Sequence, residues 1–379
     1  MTDMTATISL LADMVATPSV SCGLDGQPDD IHGESRMVEL VADYWRRHRI
    51  DYQIQPVHPG RDNIIARIEG HSGPSLLLEA HTDTVEVENM KIDPFDPVIR
   101  DGKLYGRGSC DCKASLAAMM VGMTKAAESG LFGTITLAAT ANEECGYGGA
   151  LAMTAAGFAA DGAVVGEPTE LRLATAHKGA CRMSIATRGV AVHSSDPDRG
   201  LNAIYAMSEV LQALRKHATE LSARQPHPLV GPPACSVTII TGGQAPNIVP
   251  DHCEIVIDRR TTPGETANDA LEQVCEAVEC SVGESVDWTC EQIFTGEPME
   301  TAVDSEIVVR VRRALEEVTG DSSIIGVQFG TDAAVFSLAG IPSVVVGPGS
   351  IEQAHTAIEY VDIAQVEQAT AFFERLCSG

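Results

Sequence analysis

The sequence has few basic residues for its length. Only 26 of its 379 residues are Lys or Arg, against 53 Asp or Glu, which gives a formal net charge of −27. A chain this acidic repels phosphate backbones and anionic lipid headgroups, so nucleic-acid and membrane-surface partners are disfavoured and a freely soluble protein is expected. The acidity does not restrict a small substrate, because a few arginines or metal ions invert the local field inside a cleft.

Membrane and secretion signals are missing as well. No apolar run approaches the roughly 18 to 20 residues that span a bilayer. The first twenty residues lack a basic n-region and Asp13 interrupts their apolar residues, so they are typical of a helix rather than a signal peptide. The eleven cysteines include no Cys-x-x-Cys pair, and their odd number favours a reduced compartment over a disulfide framework. We therefore expect a cytoplasmic protein.

Length and the order of predicted elements indicate two domains. A chain of 379 residues exceeds what one hydrophobic core usually supports. From about Cys181 the apolar spacing follows the order strand, helix, strand, strand, helix, strand, which describes a compact α+β module. We predict that residues 181–295 form this module, inserted into a larger α/β domain of residues 1–180 and 296–379. The larger domain should contain a central mixed sheet flanked by helices.

Polar side chains follow three apolar strands of the predicted larger domain. In chain order the strand ends carry His81 with Asp83, Glu143 with Glu144, and Glu167. Ligand sites in open α/β sheets lie beyond the carboxyl ends of the strands, so these groups should face a site rather than the core. Each motif alone fits an ordinary turn, with a hydrogen-bonded His or a solvated acidic pair. Three such strand ends together make coincidence the poorer explanation.

Asp111 and His355 extend this set of candidate metal ligands. Asp111 lies where the segment KLYGRGSCDCKAS enters a predicted helix, a position that favours a carboxylate, although an ordinary N-terminal helix Asp fits equally. His355 follows in a polar loop near the end of the chain. Imidazole and carboxylate ligands suit Zn²⁺ or a similar divalent ion. Five ligands exceed one tetrahedral catalytic site but would serve two ions roughly 3.5–4 Å apart if Asp111 bridged them.

Two further carboxylates are candidates for catalysis. Asp83, on the same side of an extended segment as His81, would accept the second ring N–H and fix the tautomer of that ligand. Glu143, held beside the site by its neighbour Glu144, would take a proton from metal-activated water and pass it to a leaving nitrogen. These two operations are what amide hydrolysis needs.

The motifs EAHTDTV, GRGSCDCK, NEECG, GEPT and AHTAIEYV, in this order, resemble the signature segments of the M20 metallopeptidases. The resemblance spans nearly the whole chain. It implies a zinc-peptidase-like catalytic domain with an inserted ferredoxin-like lid through which a homodimer forms. The resemblance, rather than spacing, assigns His81 and Glu167 to one metal, Glu144 and His355 to the other, Asp111 to the bridge and Glu143 to the general base. The implied cofactors are two divalent ions, Zn²⁺ first, with Co²⁺ or Mn²⁺ as alternatives.

Substrate choice depends on fewer residues. The segments AHKG, HSSDPDRGLNAI and GPGSIEQAH are most similar to those of acetylornithine deacetylases within the family. This implies hydrolysis of a small N-acyl amino acid, N-acetyl-L-ornithine first. The alternatives are N-succinyl-diaminopimelate, broader aminoacylase or dipeptidase substrates and, more distantly, a non-catalytic relative that binds a metabolite.

The same resemblance extends to residues of the inserted module. It assigns His193 to oxyanion stabilisation, and Asn247 and Arg259 to substrate binding, with Arg259 gripping a carboxylate. A turn residue and a surface strand residue remain the alternatives for His193 and Arg259. We count Gly330 and Thr331, in the turn before Asp332, as further candidates for substrate binding.

One segment departs from the family pattern. Cys110 and Cys112 flank Asp111, and Ala114-Ser115 follow Lys113, where many relatives carry Met and Gly. We expect these small residues to pack behind the loop, with a thiolate role in metal binding or redox sensing as the alternative. The departure leaves the predicted hydrolase class unchanged.

Overall fold

The computed structural model describes residues 4–23, 26–70 and 73–379. The chain divides into a large unit, with residues up to 175, 300–325 and 331–379, and a small unit of residues 176–299 and 326–330. The predicted insertion, residues 181–295, lies inside the small unit, whereas the segment 326–330 was not predicted to belong to it. Residues 1–3, which belong to the predicted N-terminal helix, lie outside the described ranges.

The helices and strands follow one another in this order. The first part of the chain contains α1 (Ala6–Val15), α2 (Ser35–His48), β1 (Tyr52–His58), β2 (Arg61–Ile68), β3 (Leu76–His81), β4 (Val98–Arg100), β5 (Lys103–Tyr105), α3 (Lys113–Ser129), β6 (Ile135–Thr140), α4 (Glu143–Gly146), α5 (Gly148–Ala155), β7 (Gly162–Val165) and β8 (Leu173–His177). Next come β9 (Gly179–Arg188), α6 (Ala203–Ser222), β10 (Ala234–Gly242), β11 (His252–Thr261), α7 (Ala267–Val282), β12 (Asp287–Gly296) and β13 (Met299–Glu300). The last part contains α8 (Glu306–Thr319), β14 (Ile324–Val327), α9 (Ala333–Leu338), β15 (Ser343–Val345), β16 (Tyr360–Asp362) and α10 (Ile363–Ser378).

The main sheet of the large unit brings several strand ends to one edge. Its strands lie in the order β1-β2-β6-β3-β7-β15-β8, and the four strands β6, β3, β7 and β15 are mutually parallel. Strands β3, β6 and β7 are buried along their whole length, as their near-continuous apolar sequences predict for parallel strands covered on both faces. Because parallel strands end at the same edge, the residues that follow β3, β6 and β7 meet there. His81 stands opposite Thr140 in this register.

Helix α3 is the central helix of the large unit. It is rich in Ala and Met, which are strong helix formers, and most of its residues are buried. It packs against α1 and α10. Gly122 permits the close approach of α10, because a Cβ at this position would lie 2.9 Å from both the Phe373 Cβ and the Thr370 carbonyl oxygen. The large unit also contains a three-stranded sheet, β16-β5-β4, that the sequence did not predict.

The small unit has the element order that the sequence predicts. Its antiparallel sheet runs β10-β11-β9-β12, so that the six elements β9-α6-β10-β11-α7-β12 give the strand order of a ferredoxin-like fold. Its core contains the side chains of Met183, Ile185, Met207, Ile257 and Val274. Helix α7 begins at a capping box. Across the described ranges of the chain, no helix combines the length and the apolar character that crossing a membrane requires.

Candidate metal centre

Five ligand-type side chains meet at the edge of the main sheet. They form two groups, and each group contains one histidine and the shared carboxylate of Asp111. All five belong to the large unit: His81, Asp111, Glu144, Glu167 and His355. The sequence predicted these five positions from separate segments, and the structure places them together.

The first group lies at the end of β3. The Nε2 atom of His81 is 3.1 Å from Oδ1 of Asp111 and 3.7 Å from Oε1 of Glu167. All three side chains are buried. The sulfur of Cys112 lies close enough to these atoms to count as a fourth potential ligand.

The second group is more open. The Nε2 atom of His355 is 3.2 Å from Oδ2 of Asp111 and 3.2 Å from Oε2 of Glu144. The two oxygens of Asp111 thus face different histidines, which is the arrangement a bridging carboxylate needs. The other oxygen of Glu144, Oε1, is buried and has no hydrogen-bond partner among the described residues, so it too is available to a cation.

Local backbone geometry presents the two neighbouring glutamates. After β6 the chain turns sharply through Asn142, whose φ of 64° is left-handed, and enters the single helical turn α4. Asparagine tolerates this conformation better than most residues. The backbone N–H groups of Glu143 and Glu144 at the start of the turn donate to the Asp83 carboxylate at 3.0 and 3.3 Å.

Asp83 orients His81 differently from the prediction. The Nδ1 atom of His81 lies 2.9 Å from the backbone carbonyl oxygen of Asp83, whereas the Asp83 carboxylate is 3.5 Å away. The predicted side-chain acceptor is therefore replaced by a main-chain acceptor, because the carboxylate is engaged by the N–H groups of α4. The consequence for the ligand is the same: Nδ1 is held as a donor and Nε2 faces Asp111.

The electrostatics of the centre favour bound cations. Burial, followed by the negative charge of Asp111, raises the pKa of both Glu144 and Glu167. Burial also raises the pKa of Glu143, and the nearby Glu167 and Glu144 raise it further against the opposing effect of His81. Hydrogen bonds to Asp111 and Glu144 raise the pKa of His355 to about 10. Carboxylates packed this closely, with two imidazoles among them, form a donor set that fits two divalent ions.

A buried ion pair, which the sequence analysis missed, supports the turn that carries the glutamates. The Arg61 guanidinium donates to both carboxylate oxygens of Glu34 at distances between 2.7 and 3.0 Å. Glu34 also accepts the N–H of Asn142 at 3.1 Å, and Arg61 Nη2 lies 3.8 Å from the Asp83 carboxylate. This network therefore fixes both sides of the loop that presents Glu143.

A second missed residue, Glu359, shapes the loop that carries Asp111. Its carboxylate accepts the backbone N–H groups of Gly108, Cys110 and Asp111 and is paired with Arg107 at 2.7 Å. Glu359 belongs to the quoted motif AHTAIEYV, but nothing in the local pattern connects it to a loop some 250 positions earlier. The peptide bond between Asp111 and Cys112 is cis.

A third missed feature lies under the strand ends. The Thr140 hydroxyl donates to the Glu79 carboxyl at 2.5 Å and is 3.3 Å from Oδ2 of Asp332. Burial raises the pKa of both carboxyls. The charge of Glu79 raises the pKa of Asp332 further, whereas the hydrogen bonds with Thr140 and Asp332 oppose the rise at Glu79.

The small unit holds two of the predicted substrate residues near one another. His193 is exposed, and its Nδ1 atom lies 2.7 Å from the Ser195 hydroxyl. The neighbouring Ser194 N–H donates to the Asn247 carbonyl oxygen at 3.0 Å. Asn247 is exposed as well. The catalytic role of His193 and the substrate role of Asn247 stay predictions.

The geometry of Arg259 does not match its predicted role. Its side chain is fully buried in the small unit, where Nη2 is paired with Glu265 at 2.5 Å and lies 3.4 Å from Gln273. This enclosed position does not favour contact with a substrate carboxylate, and the role of Arg259 stays a prediction. Its neighbour Arg260 is on the opposite, partly exposed face of β11 and contacts Asp258 at 2.6 Å. Arg260 is therefore the better candidate for that role.

Gly330 and Thr331, the remaining candidates, lie before α9, and a cavity adjoins the second ligand group. Thr331 is buried, its hydroxyl accepts the N–H of Ala333 at 3.1 Å at the start of α9, and Gly330 is half-buried. A cavity of about 330 Å³ in the large unit adjoins the second ligand group, and Glu86, Arg107, Glu144, Cys145 and His355 are among its lining residues. A larger groove of about 880 Å³ along α2, β1 and β2 contains none of the candidate ligands.

Two imidazoles and two glutamates grouped around a shared Asp, at the carboxyl edge of a parallel sheet, are the kind of donor set that metal-dependent hydrolases use. The chain belongs to peptidase family M20/M25/M40, whose model matches residues 77–378. The acetylornithine deacetylase of Proteus mirabilis is 32% identical over 370 residues, covering 95% of this chain and 93% of that protein.

Solved structures show the same fold. A tripeptidase from Staphylococcus aureus superimposes with a TM-score of 0.81 at 20% identity and covers 98% of this chain and 97% of its own. A dinuclear metal-binding peptidase of family M20 from Bacillus subtilis gives a TM-score of 0.71 at 17% identity, with coverage of 98% and 96%. The predicted family, the α/β fold and the class of metal-dependent hydrolase are thus confirmed.

Proposed function

We propose that this protein hydrolyses the amide bond of a small N-acyl amino acid, with N-acetyl-L-ornithine as its substrate. The observation that carries the proposal is the pair of ligand groups sharing Asp111, with the pKa of the adjacent Glu143 raised by burial and by its acidic neighbours. The similarity to deacetylases that bear the name of this substrate supports the choice of acyl amino acid.

Each ligand residue has a separate task in this proposal. His81 and Glu167 would hold one ion, His355 and Glu144 the other, and Asp111 would bridge them. When bound, two divalent ions polarise a carbonyl oxygen and lower the pKa of water. Zn²⁺ is our choice of metal because imidazole and carboxylate donors suit it.

Glu143 is the proposed proton carrier. Burial and the charges of Glu167 and Glu144 raise its pKa, so its carboxyl group both accepts and releases protons more readily near neutral pH than an exposed glutamate does. Its backbone N–H is fixed by Asp83, which keeps the side chain at the start of α4 beside the ligand Glu144. It would take a proton from water and deliver it to the leaving nitrogen.

The cavity beside the second ligand group supports an amino acid with a cationic side chain. Glu86 contributes a carboxylate to its lining that is not one of the candidate ligands, and the charge of Arg107 is neutralised by Glu359. A carboxylate at this place attracts an ammonium group and repels an acidic side chain. The terminal ammonium of ornithine meets this requirement, and that of diaminopimelate meets it less well because a carboxylate accompanies it.

Acetate release from N-acetyl-L-ornithine by the zinc-loaded protein tests the proposal. N-succinyl-diaminopimelate, N-acetyl-L-methionine and a dipeptide form the parallel arms, and chelator-treated protein is the control. We expect chelator-sensitive turnover, fastest with the ornithine derivative. Faster hydrolysis of another compound would support the amidohydrolase activity but assign a different substrate. No hydrolysis of any of the four compounds would favour a metabolite-binding relative without catalysis.

We also propose a homodimer formed through the small unit. Strand β10 is an edge of its sheet, and Ile239 and Ile240 on this strand are each 57% exposed. An apolar, unpaired edge strand is a template for a second copy, and two-fold pairing closes it. Light scattering should give about twice the 40.1 kDa mass of one chain. A monomer at micromolar concentration would contradict the proposal.

A further inference from the structure

Two buried cysteines flank the shared ligand Asp111 and differ in their surroundings. The sulfur of Cys112 belongs to the first ligand group: one donor atom each from His81, Asp111, Cys112 and Glu167 lie within 4.8 Å of one another. The sulfur of Cys110 lies 3.4 Å from the Ser350 carbonyl oxygen and belongs to neither group. Both side chains are completely buried.

Cys112 belongs to the hydrophobic core of the large unit, and its sulfur also lies among the ligand atoms of the first group. The sulfur makes one weak hydrogen-bond contact, 3.5 Å from the His81 carbonyl oxygen. A thiol that meets a core on one side and three potential ligands on the other can add a donor atom to that group. The second group, with Asp111, Glu144 and His355, contains no sulfur.

We propose that Cys112 supplies a thiolate ligand to the metal ion held by His81 and Glu167. When an ion enters the first position, the S–H bond of Cys112 would break, a sulfur–metal bond would form, and the proton of the thiol would pass to solvent. The inference depends on the proposed dinuclear function, because it assigns a ligand within that centre. It makes the two metal positions chemically different.

The difference has consequences for metal choice. Thiolate ligands favour thiophilic ions such as Zn²⁺ and Cd²⁺ over Mn²⁺ and Mg²⁺. The first position would therefore hold a thiophilic ion more tightly than the second, which offers only nitrogen and oxygen. Four protein ligands also fill a tetrahedral ion, whereas the three ligands of the second position leave coordination open.

Cobalt titration of the full-length, chelator-treated protein separates the two kinds of ligand. Visible ligand-field bands report that Co²⁺ is bound, and a near-ultraviolet sulfur-to-cobalt charge-transfer band reports thiolate ligation. Wild type and Cys110→Ser should both develop the charge-transfer band, and Cys112→Ser should show the visible bands without it. In competition titrations with a chromophoric chelator, Cys112→Ser should lose about 10- to 100-fold in Cd²⁺ affinity, and Cys110→Ser should not.

Several results would overturn the assignment. Visible bands without a charge-transfer band in the wild type refute it directly, even if both variants fail to fold. A band that persists in Cys112→Ser, or disappears in Cys110→Ser, refutes it as well. Binding of Co²⁺ with turnover but without the band would leave the proposed function intact, whereas absence of any metal uptake would refute both proposals.

Discussion

Replacing Glu34 by Gln should destabilise the large unit far more than an equivalent change at the surface. The Glu34 carboxylate is completely buried and receives three hydrogen bonds from Arg61, the shortest at 2.7 Å. Burial raises the pKa of Glu34, and its contacts with the guanidinium oppose that rise. The substitution removes the negative charge and leaves a buried guanidinium without its main partner.

The expected magnitude follows from what remains around Arg61. Breaking a buried ion pair by removing one partner costs about 3–5 kcal/mol. Asp83 lies 3.8 Å from the guanidinium and compensates part of the charge, and a glutamine retains an oxygen for the Asn142 N–H. We therefore expect a loss near the lower limit, about 3 kcal/mol, which lowers the melting temperature by about 6–12 °C.

Urea unfolding followed by the fluorescence of the buried Trp45 measures this loss. A Trp288→Phe background removes the second of the two tryptophans, so the signal then comes from the large unit alone. The matched control is Glu39→Gln, which removes an equally short but exposed ion pair with Arg46 on α2. The control should change the midpoint little, because exposed pairs contribute little. Equal effects of the two substitutions would refute the role given to Glu34.

Three further predictions concern the site itself. Glu143→Gln should leave the metal content unchanged and lower kcat by about 10²–10⁴-fold, because an amide cannot accept and return a proton. Near-normal turnover in a metal-loaded sample would contradict the role of Glu143 as proton carrier. Glu86→Gln should raise KM for N-acetyl-L-ornithine up to about fivefold and leave KM for N-acetyl-L-methionine unchanged, with Glu88→Gln as the control; an equal change for both substrates would exclude Glu86 as the cation partner. Zinc binding at pH 7 should release protons from the two histidines. Hydrogen bonds to Asp111 and Glu144 raise the pKa of His355 to about 10. Burial lowers the pKa of His81, but the Cys112 sulfur and the Asp111 and Asp83 carboxylates outweigh it and raise the pKa. The raised pKa values increase the fraction of each ring that carries a proton for metal to displace, so apparent affinity should rise with pH; calorimetry in buffers of different ionisation enthalpy measures the release, and a proton count of zero contradicts it.

Three of the five candidate ligands, His81, Glu144 and Glu167, were predictable because they lie at or after the ends of strongly apolar strands. Strands β3, β6 and β7 have near-continuous apolar sequences, which are typical of buried parallel strands, and parallel strands end at a common edge. Polar residues directly after such strands therefore meet, even though His81 and Glu167 are far apart in sequence. The element order of the small unit was predictable for a similar reason, since its strands and amphipathic helices differ clearly in period.

The burial of Arg259 was readable from the alternation of residues along β11. Cys253, Ile255 and Ile257 alternate along β11 and are all buried, so Arg259 continues the buried side and Arg260 the other. Alternation along the strand thus selects Arg260 as the accessible guanidinium. The segment DRR, residues 258–260, contains two adjacent arginines and does not by itself distinguish them.

Other features depend on contacts that no local pattern encodes. The pairing of Glu34 with Arg61 and the capture of the Asp111 loop by Glu359 join distant segments through single side chains. Whether His81 meets the carboxylate or the carbonyl of Asp83 is decided by the N–H groups of α4, which follow a different strand. The strands of the small sheet β16-β5-β4 have three residues each, too few to show a period.

A zinc titration of chelator-treated protein tests the dinuclear amidohydrolase most directly, with acetate release from N-acetyl-L-ornithine followed after each addition. We expect no turnover without metal and a plateau at about two equivalents of zinc per chain, and Asp111→Asn should abolish that response. Turnover that survives complete removal of metal, or that Asp111→Asn leaves unchanged, would contradict the proposed chemistry.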